Sequence, residues 1–450
     1  MKPTGLVFFP AFDWAISPTH PEREERLLYT RDQIFEEGIM DLPQIEEYQP
    51  QMATDKDIAR THFCVPGVGD QATDAHRISC GGALTIADAV MRKQIKNGFA
   101  LVRPPGHHAM RVAHGNRGFC NINNEAVMID YLRRHYNLQR IAIVDTDVHH
   151  GDGTQDIFWH DPEVLFISFH QDGRTLYPGT GFTSEIGGPL AQGYTLNVPL
   201  PPETGDQGIL YVLDNLVKPI LEEFKPDLVV NSAGQDNHYT DPLANMRFTA
   251  RGYAELNKRL APDIAVLEGG YSVETALPYI NMGIIMAMAG IDYSYLHEPD
   301  YDPGLARESK MGMNSIKRII ETQQKTWQNR QRLIASARDT KDKFYQRHKS
   351  IYYDTDGIHE QQMETLRLCP DCSGYLAIDS HAGFHSGNAN HVYCVSIPRR
   401  ACPKCVQDAT DLYETMKKRN DQRDSIHLQD RSGDRFLRYD CQDGKEISLE

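Results

Sequence analysis

The 450-residue sequence lacks any apolar run long enough to cross a membrane, since a spanning helix needs ~18 or more apolar residues. Near the amino end, the apolar patch Leu6–Phe9 is shorter than the core of a secretory signal peptide, which takes about 7–15 residues. We interpret this patch as a buried first strand. The sequence therefore predicts a cytoplasmic protein with no membrane partner.

Positive charge is also scarce: 47 Lys and Arg residues stand against 62 Asp and Glu residues, a formal net charge of −15 at pH 7. A chain this acidic is a poor candidate for binding bare nucleic acid or an anionic membrane, because like charges repel. It is compatible with cationic substrates, although bulk charge more often serves solubility. Internal repeats of about 20–50 residues are missing as well, which excludes a solenoid of stacked repeats.

Up to about Gly290, short β-rich apolar runs alternate with helical patterns. Strands are predicted at Ile141–Asp147 and Leu228–Ser232, for example, and helices at Glu125–His135 and Thr249–Leu260. This alternation is typical of an α/β fold, in which a mostly parallel sheet carries helices on both faces. The chain is long enough for one large domain of this kind and a small one.

The composition changes after this region, and we divide the chain accordingly. Residues 1–300 are predicted to form the large domain, and residues 301–365, rich in Lys, Arg and Gln, a charged helical linker. Residues 366–410 carry five of the nine cysteines and are predicted to form a small Cys/His module. Residues 411–450 are predicted to be a polar tail.

Polar side chains gather where two of the predicted strands end. Alternate residues of a strand point to one side, so Asp145, Asp147 and His149 share a side. Asp236 follows the strand Leu228–Ser232, and ligands of open α/β sheets bind beyond the carboxyl ends of the strands. We expect Asp147, His149 and Asp236 to bind Zn²⁺ and leave one position open, as catalytic zinc sites do. The alternative is an ordinary polar turn, with Asp236 as a helix N-cap.

Two further segments supply acid–base groups. His107 and His108 follow the rigid turn Arg103-Pro-Pro-Gly106, and a histidine pair can divide general base and general acid work if the two environments differ. Asp145 and Asp152 are natural partners for their far ring nitrogens. Tyr271, in Leu267-Glu-Gly-Gly-Tyr271, follows another strand and can donate a hydrogen bond to a developing oxyanion. A surface histidine pair and an ordinary turn tyrosine are the alternatives.

The C-terminal cysteines form two CxxC units, Cys369-Pro-Asp-Cys372 and Cys402-Pro-Lys-Cys405. Two such knuckles make a tetrahedral thiolate site for structural Zn²⁺. The 29 residues between the units, 373 to 401, exceed the usual ribbon spacing, so a long hairpin must fill the gap. The gap contains four more residues that are either extra ligands or ordinary polar residues: His381, His385, His391 and Cys394.

Five motifs occur in an order and at intervals that resemble the zinc-dependent histone deacetylases, most of all the class II branch and its bacterial relatives. They are RPPGHH, GFCNIN, DTDVHHGDGTQ, SAGQD…DPL and LEGGY. The resemblance covers roughly residues 1–290 and implies an arginase-like α/β fold and hydrolysis of the N-acetyl amide of acetyl-lysine. It implies zinc at Asp147, His149 and Asp236, a catalytic pair His107 and His108 supported by Asp145 and Asp152, and Tyr271 as transition-state donor.

The same resemblance implies a monovalent cation, usually K⁺, beside the zinc. The matching positions are Asp145, Asp147, His149, Ser168 and the carbonyl of Phe169. It also implies a narrow substrate tunnel with Phe119 as one aromatic wall and Tyr177 as the other, where many relatives carry Phe. Leu243 stands where relatives specific for polyamines usually carry an acidic gatekeeper, which favours an acetylated lysine peptide or protein as partner over a small acetylated amine.

Three alternatives remain open at this point. The first is an arginase-like amidinohydrolase with two manganese ions, but Gly234 occupies the place of one bridging acid. The second is a binding protein without activity, which is expected to have lost a ligand, the histidine pair or the tyrosine. The third keeps the enzyme and changes the substrate to an acetylpolyamine or another small amide. The sequence predicts no particular oligomeric state.

Overall fold

The computed structural model describes residues 2–12, 14–299, 301–304, 307–339, 341, 343–419 and 422–449. The strands of the large domain are β1 (Thr4–Phe9), β2 (Ile45–Glu47), β3 (Phe63–Cys64), β4 (Asn97–Val102), β5 (Val112–Ala113), β6 (Ile141–Asp145), β7 (Val164–Gln171), β8 (Thr195–Leu200), β9 (Leu228–Ala233) and β10 (Ile264–Leu267). Eight of them form one sheet in the order β2-β1-β4-β10-β9-β6-β7-β8, and every neighbouring pair is parallel. β3 and β5 pair separately.

Helices connect these strands and cover both faces of the sheet. They are α1 (Glu25–Glu36), α2 (Asp55–Ala59), α3 (Val68–Gln71), α4 (Asp74–Met91), α5 (Asn124–Tyr136), α6 (Asp152–Phe158), α7 (Asp206–Val212), α8 (Lys218–Phe224), α9 (Ala250–Leu260) and α10 (Leu277–Ala289). A π-helical turn, Leu213–Val217, joins α7 to α8. The predicted α/β fold with a parallel sheet and helices on both faces is confirmed.

Alternate residues of the buried strands pack into two separate hydrophobic cores, one on each face of the sheet. Leu6 and Phe8 of β1 pack with α1, α9 and α10 on one face, whereas Val7 packs with α4 and α5 on the other. Each fully buried large apolar side chain contributes about 1.5–3 kcal/mol. Because both faces are covered, the central strands are mostly apolar, with a few buried polar residues such as Ser168 of β7 and Asn197 of β8.

Four central strands end at the same edge of the sheet. They are neighbours in the order β4-β10-β9-β6, and each is followed at once by one of the predicted functional segments. The predicted strands agree with the observed ones to within two residues at each end. The two predicted helices are α5 and α9, which begin and end within one residue of the predicted bounds.

The remainder of the chain forms a long helix and a second sheet. The helices are α11 (Lys310–Arg338) and α12 (Pro403–Lys417), and the strands are β11 (Phe344–Tyr353), β12 (Ile358–Arg367), β13 (Leu376–Phe384), β14 (Ala389–Ile397), β15 (Ser425–Asp430), β16 (Arg435–Asp440) and β17 (Lys445–Ser448). The seven strands lie in chain order. All pairs are antiparallel except β14 and β15, which α12 connects. We call residues 344–449 the C-terminal domain.

Two expectations for this part of the chain differ from the structure. The segment 301–365, expected to be a helical linker, is helical only over α11 and then forms β11 and most of β12. The segment 411–450, expected to be a polar tail, contributes the end of α12 and three strands. The hydropathy of β12 does not indicate a strand because its buried face is polar, with Glu360, Gln362 and Glu364 each no more than 2% exposed.

Those polar side chains contact the large domain. Glu360 lies 3.4 Å from His114, and Glu364 lies 3.4 Å from His160 and 3.0 Å from Lys349, which also pairs with Asp156. Apolar contacts accompany them, since one buried cluster joins side chains of β3 and β5 to others of β13 and β14. None of the helices in the described ranges is both long and apolar enough to span a bilayer.

Candidate active site

The three predicted zinc ligands converge at the carboxyl edge of the large sheet. Asp147 and His149 follow β6, Asp236 follows the adjacent strand β9, and their ligand atoms all lie within 4.8 Å of one another. His149 Nδ1 is 3.0 Å from Asp236 Oδ2 and 3.2 Å from Asp147 Oδ1. Both carboxylates are fully buried. Two buried carboxylates this close together are costly unless a cation balances them, so the cluster fits a divalent metal ion.

Two glycines make room for this cluster. A Cβ atom at Gly234 would lie 1.9 Å from Asp147 Oδ2, and one at Gly269 would lie 2.2 Å from Asp236 Oδ2. The backbone N–H of Gly269 donates to Asp147 Oδ2 at 2.8 Å. Any side chain at position 234 would collide with the ligand carboxylate. The donor set therefore fits one metal ion, and the bridging acid needed by a two-manganese amidinohydrolase has no place here.

His107 and His108 follow β4 and lie beside the cluster, with ring centroids 4.1 Å apart. His107 Nδ1 is 3.2 Å from Asp145 Oδ2, and His108 Nδ1 is 2.7 Å from Asp152 Oδ1. His107 Nε2 lies 3.8 Å from Asp147 Oδ1. Each ring is thus held by a carboxylate through Nδ1, which leaves Nε2 for the reacting groups.

The two histidines have different electrostatic surroundings. Burial lowers the pKa of His107, but the charges of Asp147 and Asp145 outweigh it and raise the pKa well above its usual value. Burial and the charge of His107 lower the pKa of His108 to about 3, despite its hydrogen bond to Asp152. These shifts favour a neutral His108, which can accept a proton, beside a positively charged His107.

Tyr271 reaches the same cavity from the turn after β10. Its backbone N–H donates to Asp241 Oδ2 at 2.7 Å, and the guanidinium of Arg26 lies 4.8 Å from its ring centroid. Burial raises the pKa of Tyr271 well above its usual value, so the phenol is protonated. Within the described ranges its hydroxyl has no hydrogen-bond partner, and Tyr271 lines the cavity. A phenol free to donate in this cavity is suited to hydrogen-bond a bound carbonyl oxygen.

A cavity of about 260 Å³ leads to the cluster, and the three predicted tunnel residues line it. The ring of Tyr177 stands edge-on to His108, with centroids 5.2 Å apart, and that of Phe119 stands edge-on to Tyr271 at 5.7 Å. Phe119 has a φ of 69°, which is uncommon for a bulky residue. Leu243 adds an apolar side chain to the lining.

Several residues that support the site are given no role by the sequence patterns described above. Glu268 Oε2 accepts hydrogen bonds from the backbone N–H groups of Gly106 and His107 at 2.7 and 3.0 Å, so it fixes the histidine loop. Glu268 stood inside a recognised motif but received no role, because a strand-end acid looks like part of an ordinary turn. Arg117, which donates to Asp152 Oδ2 through Nε at 3.1 Å, gave no pattern at all.

The most unexpected lining residue is Asp354, which comes from the C-terminal domain. Its Oδ1 accepts hydrogen bonds from the Tyr177 hydroxyl and the Gly118 backbone N–H, each at 2.9 Å. The available signal was the run Asp354-Thr-Asp-Gly357, which is typical of a hairpin turn. That signal is weak because the polar residues on either side of it also favour a helix.

The residues expected to hold a monovalent cation lie on two adjacent strands. Asp145 of β6 is paired in register with Ser168 of β7, and both are fully buried. Asp145 also accepts a hydrogen bond from the backbone N–H of Asp147 at 3.1 Å. The side chain of Ser168 lies 2.8 Å from His170 Nδ1. Binding of K⁺ at this place stays a prediction.

The four predicted cysteine ligands of the C-terminal domain also come together. Cys369 and Cys372 lie between β12 and β13, Cys402 and Cys405 lie at the start of α12, and their Sγ atoms are all within 4.8 Å of one another. The predicted long hairpin between the CxxC units is β13–β14. His381 and Cys394 lie in the strands of this hairpin, as does His391, whose Nε2 is 2.7 Å from Asp379 Oδ1; His385 lies in its turn. The cysteine cluster includes none of these four.

Comparison with known proteins agrees with this geometry. Residues 66–284 match the histone deacetylase domain model. The chain is 45% identical over 352 residues to a probable deacetylase of Archaeoglobus fulgidus, and the match covers 71% of this chain and 96% of that protein. It is 43% identical over 212 residues to histone deacetylase 14, chloroplastic, of Arabidopsis thaliana, which covers 44% of this chain and 49% of the plant protein.

Solved structures give the same result. The crystal structure of the HDA15 HD domain aligns with a TM-score of 0.64 at 27% identity, over 76% of this chain and 99% of that one. The structure of the histone deacetylase Clr3 aligns with a TM-score of 0.61, also at 27% identity, over 73% of this chain and 58% of that one. The matched archaeal protein is covered almost completely, and the solved structures share the fold of this chain. The chain therefore belongs to the histone deacetylase family of zinc-dependent deacetylases.

Proposed function

We propose that this chain hydrolyses the N-acetyl amide of acetylated lysine side chains in peptides or proteins. The supporting observation is the cavity that ends at the Asp147–His149–Asp236 cluster. Its aromatic walls suit a flat amide on a slender aliphatic chain, and Leu243 adds an apolar surface. A lysine side chain is long enough to carry its acetyl group into such a cavity while the peptide stays outside.

Asp147, His149 and Asp236 would hold the zinc ion. When bound there, Zn²⁺ supplies Lewis acidity, which polarises the acetyl carbonyl and lowers the pKa of water. We also propose that Asp145, Ser168 and the Phe169 carbonyl help to bind K⁺ beside it, and that the four clustered cysteines bind a structural Zn²⁺.

The remaining steps belong to the side chains of the protein. His108, held by Asp152, takes a proton from the attacking water as the water oxygen bonds to the acetyl carbon. Tyr271 donates a hydrogen bond to the carbonyl oxygen, which becomes negative in the tetrahedral intermediate. The carbon–nitrogen bond then breaks, and His108 returns its proton to the departing amine. His107, held by Asp145, stays beside the cluster and orients these groups.

A second candidate substrate is a small acetylated amine such as an acetylpolyamine. One observation favours it: Asp354 places a carboxylate in the cavity lining, and a carboxylate attracts the ammonium groups of a polyamine. Leu243 favours the lysine peptide because it supplies no such charge. The two candidates therefore differ in the part of the substrate that lies outside the acetyl pocket.

The deciding experiment compares kcat/KM for an acetyl-lysine peptide, acetylspermidine and acetylputrescine. We expect the peptide to be the best of the three. A higher kcat/KM for the polyamines would replace the proposed substrate by the second candidate. Asp236→Asn serves as the control, since any hydrolysis that persists in this variant does not come from the proposed site.

A further inference from the structure

The turn between β11 and β12 enters the active site from the C-terminal domain. Several contacts hold it against the loop that carries Phe119. The Tyr353 hydroxyl donates to the Val112 carbonyl at 2.7 Å, and Asp356 Oδ2 accepts from the Asn116 backbone N–H at 2.6 Å. Arg117 also donates to the Tyr352 carbonyl. Tyr353 is fully buried, so the turn packs tightly against the large domain.

Asp354 lies in this turn, directly after β11, and contacts both walls of the tunnel. One oxygen, Oδ1, accepts from the hydroxyl of Tyr177 and from the backbone of Gly118, the residue before Phe119. Gly118 has a φ of 52°, and a Cβ atom there would lie 2.4 Å from the His108 ring. A small shift of this backbone would therefore move Phe119 and change the contact between Gly118 and the His108 ring.

We propose that Asp354 is a positioning residue for deacetylation, through which the C-terminal domain completes the substrate tunnel. The proposal rests on the deacetylase function stated above. A tyrosine hydroxyl in an aromatic wall needs a partner when it is half-buried, and Asp354 supplies it. The same carboxylate fixes the left-handed backbone at Gly118 and Phe119. Removing this carboxylate would therefore leave Tyr177 and Phe119 less firmly positioned.

The test is a double-mutant cycle with Asp354→Ala and Tyr177→Phe. We expect Asp354→Ala to lower kcat/KM by about 10- to 100-fold, because misplacement by about 1 Å can cost 100-fold. In the Tyr177→Phe background the same change should cost less, since one of its two bonds is already absent. An equal fall in kcat/KM in both backgrounds would overturn the link between Asp354 and Tyr177.

A second variant separates positioning from charge. Asp354→Asn keeps an oxygen that can accept both hydrogen bonds but loses the negative charge. Recovery of most activity by this variant, for the acetyl-lysine peptide and for acetylspermidine alike, supports positioning. A loss confined to acetylspermidine would show instead that Asp354 attracts a cationic substrate, and it would overturn the proposal.

The matched control is Asp443→Ala, which removes an exposed aspartate from the turn between β16 and β17. We expect its activity, zinc content and melting temperature to equal those of the parent. Parental activity in Asp354→Ala would overturn this inference alone. Failure of the unmodified protein to hydrolyse any of the three substrates would overturn the proposed function instead.

A separate observation concerns a cavity of about 270 Å³ between the two domains. Eight arginines and five carboxylates line it, a formal charge of 8 − 5 = +3 in a chain of net charge −15. Arg60, Arg111, Arg133 and Arg134 come from the large domain, whereas Arg399, Arg400 and Arg431 come from the C-terminal domain. Pockets at domain boundaries are frequent ligand sites.

Arg111 carries a buried positive charge in this lining that no described carboxylate pairs with directly. Its side chain is 6% exposed, and in the described ranges no carboxylate lies within 4.0 Å of its guanidinium. It donates to the Ile157 carbonyl, and its Nε has no hydrogen-bond partner. Burial and the charge of Arg431 lower its pKa. Asp156, Glu364 and Asp130 attract this guanidinium without pairing with it directly, so an anion bound in the cavity would stabilise it further.

We infer that this cavity binds a small phosphorylated molecule that holds the two domains together. The planar guanidinium groups match phosphate oxygens in pairs, and a phosphate group carries the two or more charges that the lining lacks. The volume suits a compact molecule. The inference does not depend on the substrate of the active site.

Calorimetric titration with inorganic phosphate and pyrophosphate tests it. We expect pyrophosphate to bind and to raise the melting temperature, and Arg111→Met and Arg399→Met each to weaken binding at least about tenfold, as for the loss of a charged hydrogen bond. Arg318→Met, at an exposed position of α11, is the control. Absence of pyrophosphate binding, or equal binding by a folded Arg399→Met protein, would overturn the inference.

Discussion

The two sheets of this protein bury opposite kinds of side chain. The parallel sheet of the large domain packs mostly apolar side chains on both faces and carries the polar groups of the candidate site at one edge, where β4, β10, β9 and β6 end. The C-terminal sheet buries a polar face in β12, whose Glu360 and Glu364 pair with groups of the large domain. In this protein, polar residues at the ends of apolar strands form the candidate active site. Polar residues along β12 form contacts between the two domains.

The sharpest test of this difference removes a strand-end ligand. Asp236→Asn should lose the catalytic zinc and lower kcat by at least about 1000-fold, since the metal contributes several kcal/mol of transition-state stabilisation. Zinc analysis should fall from about two ions per chain to about one, because the cysteine cluster stays intact. Retention of two zinc ions by this variant would contradict the ligand assignment.

The next largest effect is expected at Tyr271, which follows the central strand β10. Tyr271→Phe removes the donor to the developing oxyanion and should lower kcat by ~100- to 1000-fold, with a much smaller change in KM. Folding and zinc content should be unchanged. A variant as fast as the parent would show that the tyrosine is structural.

The cysteine cluster gives the corresponding test for the second sheet. Cys402→Ser should lower the zinc content by about one ion per chain, because three thiolates hold a structural zinc less well than four. The catalytic ion should remain. Proteolysis within residues 344–449 should become faster, and kcat/KM should fall as the contact of Asp354 with the tunnel loosens. An unchanged zinc content would refute the four-cysteine site.

Docking by buried charge is tested at Lys349, which pairs with Asp156 of the large domain and Glu364 of β12. Lys349→Met leaves two buried carboxylates with one partner fewer and should lower the free energy of unfolding by about 3–5 kcal/mol. Denaturant titration measures the change. Lys325→Met, at an exposed position of α11, is the control and should change the stability by no more than about 0.5 kcal/mol.

The smallest effect concerns pH. Burial, with the charges of Arg438 and His114, lowers the pKa of His427 to about 3, and its ring lies 6.0 Å from that of Phe63 in the large domain. Because the unfolded chain takes up a proton near pH 6.5 and the folded chain does not, stability is full above that pH and falls as the pH drops toward 3. His427→Gln should lessen the loss of melting temperature between pH 7 and pH 5. An unchanged pH dependence would contradict this account.

The large domain was predictable because several independent patterns agree. Apolar strands, intervening helices and strand-end acids such as Asp147 and Asp236 all indicate the same edge of the same sheet. The residues that support the site from a distance were less visible. Glu268 acts through backbone N–H groups, and Arg26 donates to the Gly270 carbonyl at 2.8 Å, so neither follows a spacing rule.

The C-terminal domain was not predictable in the same way. Only its cysteine spacing was read correctly as a four-sulfur cluster. The strands β11 and β12 alternate between exposed and covered positions. Arg347 and Lys349 occupy covered positions of β11, and Glu or Gln occupies three buried positions of β12, so hydropathy gives no period of two. Their partners, such as His114 and His160, lie more than 200 residues away in the chain. A tertiary contact at that separation leaves no local pattern.

The bond between Asp354 and Gly118 joins residues 236 positions apart. During synthesis the last strand of the large sheet, β10, is complete at Leu267, and 87 more residues (354 − 267) must emerge before Asp354 can reach its partners. The large sheet can therefore form while the chain is still growing, since domains fold as units in order of synthesis. Its tunnel is finished only after Asp354 has been made and has reached Gly118, so full activity comes later than the folding of the large sheet.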